Sequence, residues 1–461
     1  MTQPPATGTH AVIDRSRLTE LIRRERDDYA GRHPSSRQAF AAAGESLLGG
    51  VPMTWMLAYP GGFPAYVATA RGARLTDIDG NEFIDFCLGD TGAMAGHSPG
   101  PVREAVARLY GELGGPVTML PTEDAAWVGA ELTRRFGPTR WSFTLSATDA
   151  NRWAIRLARQ LTRRQKILVF SYCYHGSVDE AFIVAGPGGP HSREGNVGAP
   201  VDPRETTRVV EFNDLAGLER ELAARDVAVV LMEPALTNIG IVLPEPGFLD
   251  AVRELTREHG TLLIDDETHT FSAGPGGCTR AWNLHPDLVT IGKSIGGGIP
   301  VGTYGLSAEL ADQIMKDETA DMVDIGGVGG TLAGNALSVM ATRATLEHVL
   351  TDAAFEGMIA LGDRYTAGVS GAIESRALPW SIIQLGARAE YRFCSPPPRT
   401  GGESNAAADP QLDEYLHLYT ANRGVLMTPF HNMALMSPAT TAADVDAHTQ
   451  IFAAAADDLL A

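Results

Sequence analysis

The sequence predicts an α/β fold in which a mostly parallel sheet is covered by helices on both faces. Short runs rich in β-branched residues alternate with amphipathic helical segments from about residue 101 onward. Several of these runs are apolar throughout, which is typical of strands that are buried on both faces of a sheet. After about Ala333 the pattern changes to long helices and a few short strands, which predicts a smaller α+β domain.

The elements before the sheet are predicted to be an arm and a hairpin. The segment DRSRLTELIRRERDDYAGRH has helical periodicity and many charges, so we expect a helix that packs on a larger body. In ARLTDIDGNEFIDF, alternating residues flank Asp79 and Gly80. An Asp-Gly pair between two such runs favours a tight β-hairpin.

The sheet is predicted from five runs, which are WSFTL, KILVF, VAVVLM, TLLID and DLVTIG. The segments TDANRWAIRLARQL and GFLDAVRELTREHG are predicted helices between them. The smaller domain is predicted from GNALSVMATRATLEHVL, AAFEGMIALGDRYTAGV, AEYRFC and ADVDAHTQIFAAAADDLL. We therefore divide the chain into an arm with part of the small domain (1–74), a large domain (75–333) and a C-terminal small domain (334–461).

Composition excludes several classes of partner. The chain has 461 residues and a formal net charge of -19, which opposes binding to nucleic acids or to an anionic membrane surface. No apolar run approaches the roughly 18 to 20 residues that a spanning helix needs, so we expect no membrane span and a cytoplasmic location. The four cysteines are scattered without a CxxC pair, and we expect neither disulfides nor a bound metal.

Polar residues follow the ends of the first two predicted strands, where open α/β sheets bind their ligands. Ser146, Ala147 and Thr148 follow WSFTL and precede a helix. They offer backbone N–H groups to an anion such as a phosphate, or they simply cap the helix. Tyr174 and His175 follow KILVFSY, where the aromatic ring either lies against a planar ligand or belongs to the edge of the core.

Two further strand ends carry opposite charges. Asp265, Asp266 and Glu267 follow TLLI, and burying three successive acids is costly unless each has a partner. Lys293 follows DLVTI about 27 residues beyond Asp266, which leaves room for one loop and one more strand. We therefore expect the lysine and an acid to leave the sheet at the same edge, where Gly296 and the two glycines after it allow a tight turn.

Together these positions describe a site for a flat, phosphorylated, cationic ring that reacts with an amine. The helix N-terminus after Ser146 suits the phosphate, and the ring of Tyr174 suits the face of the ligand. Asp266 suits a protonated ring nitrogen, and Lys293 suits an aldehyde. Pyridoxal 5'-phosphate (PLP) fits this description.

From about Leu75 to Val349, and more loosely to the C-terminus, the sequence resembles the class III PLP-dependent aminotransferases. That group includes ω-amine and β-amino acid transaminases and glutamate-1-semialdehyde aminomutase. Several motifs in the family's order carry the resemblance. They are LSATDAN (145–151), YHG (174–176), DET (266–268), KSIGGG (293–298) and GGTLAGN (329–335).

The resemblance implies a fold-type I enzyme with a seven-stranded, mostly parallel sheet in its large domain. It implies that Lys293 anchors the cofactor and moves protons, and that Asp266 keeps the ring nitrogen protonated. Thr268 replaces the valine that usually packs under the ring, and His269 lies near the ring hydroxyl. The family pattern also implies a homodimer in which Thr331 reaches the phosphate of the neighbouring subunit.

The resemblance also indicates a substrate pocket that departs from the family. Many relatives bind a substrate carboxylate with an arginine in the C-terminal domain, where this chain reads MTPFHNMALMSP with Phe430 and His431. β-Amino acid relatives carry an arginine near the end of the arm, where this chain has Trp55 and Met56. Glu233 matches a glutamate at the end of a strand in the family and is a further candidate for the pocket.

An apolar, aromatic pocket without a fixed cation predicts a transaminase that acts on a primary amine, bulky or aromatic and lacking an α-carboxylate. The expected partners are that amine and a keto acid or aldehyde that accepts the amino group in a ping-pong mechanism. Arg280 or Arg423 remains a possible source of the missing charge. The alternatives are an aminomutase or epimerase, which converts one compound alone, and a β-amino acid transaminase. A nicotinamide oxidoreductase is disfavoured because no GxGxxG motif follows an early strand.

Overall fold

The computed structural model describes residues 11–316 and 330–461. Over this part of the chain the strands form one large sheet and three small ones. In chain order the strands are β1 (Val67–Arg71), β2 (Arg74–Asp77), β3 (Glu82–Asp85), β4 (Arg140–Thr144), β5 (Lys166–Phe170), β6 (Ile183–Val184), β7 (His191–Ser192), β8 (Thr207–Val210), β9 (Val227–Met232), β10 (Leu262–Asp266), β11 (Leu288–Gly292), β12 (Gly302–Leu306), β13 (Ser381–Leu385), β14 (Arg388–Arg392), β15 (Val425–Leu426) and β16 (Met433–Leu435).

The helices alternate with the strands of the large sheet and dominate the C-terminal part. In chain order they are α1 (Arg15–Arg32), α2 (Pro34–Ala43), α3 (Gly100–Arg108), α4 (Glu123–Phe136), α5 (Ala147–Thr162), α6 (Pro203–Thr206), α7 (Leu215–Leu222), α8 (Phe248–His259), α9 (Gly277–Ala281), α10 (Ala308–Lys316), α11 (Ala336–His348), α12 (Asp352–Ser375), α13 (Gly401–Ala406), α14 (Pro410–Ala421) and α15 (Ala442–Leu460). None of them combines the length and the apolar composition required to cross a bilayer.

The large sheet has seven strands in the order β4-β12-β11-β10-β9-β5-β8. The strands from β11 to β8 pair in parallel, whereas β12 runs antiparallel to both β11 and β4. The five predicted strands are therefore present as β4, β5, β9, β10 and β11. The expectation of a seven-stranded, mostly parallel sheet is confirmed.

Strand β12 fits against the start of α5 because it contains glycines. A Cβ atom on Gly302 would lie 2.2 Å from the backbone oxygen of Ser146, and one on Gly305 would strike the ring of Trp141. The absence of these side chains lets β12 lie between β4 and β11. This packing holds the N-terminus of α5 at the carboxyl edge of the sheet.

The predicted hairpin around Gly80 is present between β2 and β3, which pair antiparallel. Strand β3 also pairs with β15, so residues from both ends of the chain share one sheet. Helix α1 packs on α14 and α15, with Leu18, Leu21 and Ile22 buried in the core. The division into segments 1–74, 75–333 and 334–461 remains a prediction.

The C-terminal part of the chain forms a three-stranded antiparallel sheet in the order β13-β14-β16. Helices α12 and α15 pack together, and α12 packs on β13 and β14. Strand β14 is buried along its whole length. Its first residue, Arg388, lies opposite Leu435 of β16. The side chain of Arg388 contacts His269, which follows β10 of the large sheet.

Candidate active site

Lys293 and Asp266 leave the large sheet at the same edge. Asp266 is the last residue of β10, and it lies opposite Thr290 of the parallel strand β11. Lys293 follows β11 directly and begins a short 3-10 helix with a left-handed backbone (φ +50°). The geometry expected from the sequence, with the acid and the lysine at one rim, is therefore present.

A cavity of about 290 Å³ opens at this edge, and we call it the cofactor cavity. It is bounded by the N-terminus of α5 on one side and by the residues that follow β10, β11 and β5 on the others. Its walls are formed by Gly92, Leu145, Ser146, Ala147, Thr148, Tyr174, His175, Gly176, Asp266, Thr268, His269, Lys293, Gly298, Ile299, Pro300 and Val301. The predicted cofactor-binding residues thus lie together, with the exception of Thr331.

The N-terminus of α5 presents unpaired amides to the cofactor cavity. Ser146 is the N-cap, and its side chain accepts a hydrogen bond from the amide of Asp149 at 3.3 Å. The amides of Ala147 and Thr148 precede the first helical hydrogen bond, which the amide of Ala150 donates to the Ser146 oxygen. Together with the helix dipole, these amides can bind a phosphate.

Glycines allow the backbone to approach this helix closely. Gly176 has φ +75°, and a Cβ atom there would lie 1.9 Å from Oγ1 of Thr148. That hydroxyl in turn accepts a hydrogen bond from the amide of Ser177 at 3.2 Å. A Cβ atom on Gly292 would lie 2.9 Å from the amide nitrogen of Ala147. The segment after β5 and the end of β11 are therefore both pressed against the first turn of α5.

The three successive acids at the carboxyl end of β10 have different environments. Burial raises the pKa of Asp265, whose carboxylate oxygens have no hydrogen-bond partner among the described residues. Burial also raises the pKa of Glu267, although this side chain accepts a hydrogen bond from the amide of Cys278 at 3.1 Å. Asp266 alone has its pKa lowered. The negative charge of the three acids is therefore concentrated on Asp266, which lines the cofactor cavity.

Asp266 is held as an anion by donors from three segments. Burial opposes its ionisation, but hydrogen bonds from the side chains of His175 and Asn151 and from the amide of Thr268 keep its pKa below the ordinary value. Nδ1 of His175 lies 2.9 Å from Oδ2, and Nδ2 of Asn151 donates to the same oxygen at 2.8 Å. Thr290 donates to Oδ1 of Asn151 at 2.6 Å, which fixes the orientation of the amide. Such an anchored carboxylate can stabilise a protonated ring nitrogen.

Lys293 is bound to an aspartate that the sequence did not identify as a site residue. Nζ of Lys293 donates to Oδ2 of Asp90 at 2.8 Å and to the backbone oxygen of Asp90 at 3.1 Å. Burial opposes ionisation of Asp90, but the charge of Lys293 holds its pKa well below the ordinary value. Asp90 and Thr91 both have left-handed backbones, with φ +48° and +80°. The turn after β3 thus carries a carboxylate to the reactive amine.

His269 lies between Lys293 and a buried arginine. Its Nε2 is 3.0 Å from Nζ of Lys293, and its Nδ1 is 3.1 Å from Nη2 of Arg388. Burial and the neighbouring charge of Lys293 lower the pKa of His269 well below its ordinary value. The ammonium group of Lys293 and the guanidinium of Arg388 only donate hydrogen bonds, so a neutral imidazole can accept from only one of them. His269 therefore separates the two cations.

The predicted substrate residues of the arm line a second, apolar cavity. Trp55 and Met56 belong to its walls, together with Tyr59, Cys87 and Met427, and its volume is about 370 Å³. Gly89, the neighbour of Asp90, also lines it, so this second cavity adjoins the reactive end of the site. We call it the arm cavity.

The remaining predicted substrate residues do not line the cofactor cavity. Phe430 is exposed and contacts the ring of Trp55 edge-on, with ring centroids 5.7 Å apart. His431 is buried, and its Nδ1 lies 3.2 Å from Oε1 of Glu390. Glu233 is buried behind Tyr174, whose amide donates to it at 3.4 Å, and it does not line the cofactor cavity. Burial raises the pKa of Glu233 to about 7.

Thr331 and the two candidate arginines are not at the cofactor cavity of their own chain. Thr331 is exposed in the turn before α11, and Gly329, the first residue of its motif, lies outside the described residues. Arg280 is 4.0 Å from Asp352 at the surface, and Arg423 donates to Glu25 at 3.0 Å. Neither arginine lines the cofactor cavity, whereas Arg388, which the sequence did not suggest, contacts the cavity residue His269.

The residues of the cofactor cavity fit PLP. The first amides of α5 suit its phosphate, the anchored carboxylate of Asp266 suits its ring nitrogen, and Nζ of Lys293 suits its aldehyde. Oγ1 of Thr268 lines the cavity and is buried without a hydrogen-bond partner, so it is available to a ligand. The half-buried ring of Tyr174 forms another wall.

Comparison with known proteins agrees with this fit. The sequence profile of the family described as Aminotransferase class-III matches residues 59–455. A glutamate-1-semialdehyde 2,1-aminomutase of Sorangium cellulosum (strain So ce56) is 36% identical over 429 residues, which cover 90% of this chain and 95% of the relative.

Solved structures give the same picture. A glutamate-1-semialdehyde-aminomutase from Pseudomonas aeruginosa PAO1 is 46% identical, with a TM-score of 0.94, and the match covers 97% of this chain and 99% of that one. A lysine-to-alanine variant of an enzyme of the same name and source, solved in complex with PMP, has a TM-score of 0.92. An omega-transaminase from Sphaerobacter thermophilus is 31% identical, with a TM-score of 0.83, over 92% of this chain and 97% of that one.

These similarities contradict the predicted function, a transaminase that passes the amino group of a bulky or aromatic amine to a separate acceptor. The relatives with the higher identities are aminomutases, which agrees better with the alternative reaction. The error has a physical reason, because the motifs around Lys293 and Asp266 identify the cofactor and not the compound that receives the amino group. The lack of an arginine beside Phe430 was also a poor guide, since a cation can reach the site from another strand.

The matched profile spans most of the chain, and the expected fold and cofactor agree with it. The protein belongs to the class III aminotransferases, and it is a PLP-dependent enzyme of fold-type I.

Proposed function

We propose that the protein is a glutamate-1-semialdehyde 2,1-aminomutase. Such an enzyme exchanges the amino group on C2 and the aldehyde oxygen on C1 of one substrate, and the product is 5-amino-4-oxopentanoate. The observation that carries the proposal is the 46% identity to the aminomutase of Pseudomonas aeruginosa PAO1 over nearly the whole of both chains. The omega-transaminase is more distant, at 31%.

The residues of the cofactor cavity have distinct roles in this proposal. When bound, PLP supplies an electron sink for the negative charge that develops on a substrate carbon that loses a proton. Lys293 would anchor the cofactor and, once released, would take up and deliver protons at its Nζ, between each reacting carbon of the substrate and the carbon of the cofactor. Asp266 keeps the ring nitrogen protonated. Ser146, Ala147 and Thr148 bind the phosphate.

The contacts of Lys293 suit a reaction in which the amino group of the substrate stays in the site. Asp90 and His269 hold Nζ from two sides, at 2.8 and 3.0 Å. When Nζ is engaged with the cofactor, the Asp90 carboxylate is free to accept a hydrogen bond from a substrate ammonium group. Retaining that ammonium favours its return to the neighbouring carbon over its loss to solvent.

The proposal is tested by supplying glutamate 1-semialdehyde as the sole substrate, without any keto acid or aldehyde acceptor. Nuclear magnetic resonance then follows the formation of 5-amino-4-oxopentanoate by the holoenzyme, and Lys293→Ala serves as the inactive control. We expect full conversion without an acceptor. No conversion, combined with amino transfer from the same compound to an added keto acid, would contradict the proposal.

We also propose that the active unit is a homodimer in which Thr331 completes the phosphate site of the neighbouring subunit. Thr331 is exposed and lies outside the cofactor cavity of its own chain. Tyr110, Leu113, Met119 and Leu120 lie in the segment that precedes α4, and these large apolar side chains are exposed. Several large apolar side chains exposed in one segment support a protein interface there. A cytoplasmic location remains a prediction from composition.

A further inference from the structure

The buried arginine Arg388 lies one imidazole ring away from the reactive lysine. The residue is only 1% exposed, and its Nη2 donates to Oγ1 of Thr91 and lies 3.1 Å from Nδ1 of His269. The opposite nitrogen of that ring is 3.0 Å from Nζ of Lys293. Arg388 therefore lies at the reactive end of the site, although its position in the sequence gives no sign of this.

The strand register places Arg388 beside the segment in which the family pattern led us to expect a carboxylate-binding arginine. That segment, residues 427–438, contains β16 and has no arginine. Arg388 of β14 lies directly opposite Leu435 of β16 in the antiparallel pair. Because paired residues on adjacent strands point to the same face, the side chain of Arg388 lies on the same face of the sheet as that of residue 435. A cation is therefore present on the strand next to that segment.

The charge of Arg388 has no direct partner. No carboxylate among the described residues lies within 4 Å of its guanidinium, and its buried Nε makes no hydrogen bond. The nearby acids are already engaged, since Asp90 binds Lys293 and Glu390 lies against His431. Burying an unpaired cation is costly, so the position is favourable for an anionic ligand.

We propose that Arg388 binds the carboxylate of the substrate. A guanidinium presents two parallel N–H groups to a carboxylate, and the buried environment strengthens this contact. The inference depends on the proposed aminomutase function only for the identity of the substrate, because any amine with a carboxylate at the corresponding distance satisfies the same geometry. A purely structural role is the alternative, in which Arg388 only fixes the orientation of His269.

The test compares pairs of ligands that differ in one charge. The probes are 5-amino-4-oxopentanoate with its methyl ester, and β-alanine with its methyl ester. Dissociation constants for the PLP-loaded protein are measured from the change in the visible absorbance of the cofactor. We expect the wild type to bind at least one of the acids roughly 10- to 100-fold more tightly than the matching ester, which is the range for a hydrogen-bonded charge.

The decisive variants are Arg388→Gln and Arg388→Lys, and Arg392→Gln is the matched control. Arg392 lies four residues along the same strand, is also buried, and donates to the backbone oxygen of Ser404. We expect Arg388→Gln to bind acid and ester equally with an unchanged affinity for the ester, and Arg392→Gln to keep the preference. If Arg388→Gln does not fold, Arg388→Lys decides, because it keeps the charge but lacks the planar fork and should reduce the preference severalfold.

The inference would be overturned if the Arg388 variant that folds kept the full preference for the acid over the ester. It would also be overturned if the wild type preferred neither acid over its ester. A purely structural role would weaken acid and ester alike and would leave their ratio intact. Failure of the proposed function has a different signature. In that case glutamate 1-semialdehyde is not converted, while the ratio for β-alanine and its ester still depends on Arg388.

Discussion

The carboxylate of Asp90 lies 2.8 Å from Nζ of Lys293, although the two residues are 203 positions apart in the sequence. The left-handed turn at Asp90 and Thr91 produces this contact, because it directs the aspartate from the end of β3 toward the carboxyl edge of β11. The reactive amine therefore has a fixed position before any substrate enters, and the acid that fixes it is largely buried.

Replacing Asp90 with asparagine should slow turnover without preventing cofactor binding. The variant Asp90→Asn keeps the size of the side chain but removes the charge that orients Nζ, so we expect kcat to fall roughly 30-fold or more. Steady-state kinetics on glutamate 1-semialdehyde measure the effect, with Asp265→Asn as a buried control whose carboxylate makes no hydrogen bond among the described residues. An Asp90→Asn enzyme with wild-type kcat would exclude the positioning role.

Replacing Gly176 with alanine should weaken cofactor binding and lower stability. The backbone there has φ +75°, and the new Cβ atom would strike Thr148 at the first turn of α5. We expect a loss of about 2 kcal/mol or more in the free energy of unfolding, together with a higher dissociation constant for PLP. Thermal unfolding and cofactor titration measure both quantities.

Gly188 provides the matched control for that substitution, since nothing lies within 4 Å of a Cβ atom added there. Gly188→Ala should leave both quantities unchanged. If Gly176→Ala behaves in the same way, the close packing of the YHG segment on α5 is not required for the phosphate site.

Glu233 should make the stability of the protein depend on pH. Burial raises the pKa of Glu233 to about 7, whereas an unfolded glutamate titrates near pH 4.3, so the folded protein binds more protons between these values. The contribution of this group to stability is therefore complete at low pH and is lost as the pH rises through 7. Glu233→Gln should be more stable than the wild type at pH 8 by about 3 kcal/mol, and much less so at pH 5.

Thermal unfolding at the two pH values measures this difference, and contributions shared by both proteins cancel. A difference between variant and wild type that is the same at pH 5 and pH 8 would mean that Glu233 is ionised throughout the range.

Mixing two inactive variants should restore activity if Thr331 acts across a dimer interface. Thr331→Asp places a negative charge against the phosphate, and Lys293→Ala removes the anchor, so each homodimer should be inactive. A mixed dimer holds one site with both native residues and should regain up to half of the activity of the wild type. Co-expression with two affinity tags isolates it. No recovery would indicate that Thr331 acts within its own chain.

Much of the architecture could be predicted from the sequence because the strands of a parallel sheet are apolar throughout. The runs that became β9, β10 and β11 stand out for this reason, and the polar residues after them belong to the rim. Strands β8 and β12 gave a weaker signal. The first is only four residues long, and the second contains two glycines, which have a low β-propensity and serve close packing instead.

The parts of the site that could not be predicted depend on distant pairings. Asp90 reaches Lys293 through a left-handed turn, which the sequence does not indicate because position 90 is not a glycine. Arg388 reaches His269 through the pairing of β14 with β16. Asn151 lay within a recognised motif, but its bond to Asp266 requires the three-dimensional position of α5. Local patterns identify strand ends, whereas the partners of buried charges are determined by tertiary structure.

The central claim is that Lys293 is the residue to which the cofactor is covalently attached. The chain has only three lysines, Lys166, Lys293 and Lys316, so the attachment point can be assigned without ambiguity. Borohydride reduction of the PLP-loaded protein, followed by peptide mass spectrometry, should find the added mass on the peptide that contains Lys293 and on no other. Cofactor mass on Lys166 or Lys316, or a reduced protein that carries none, would contradict the claim.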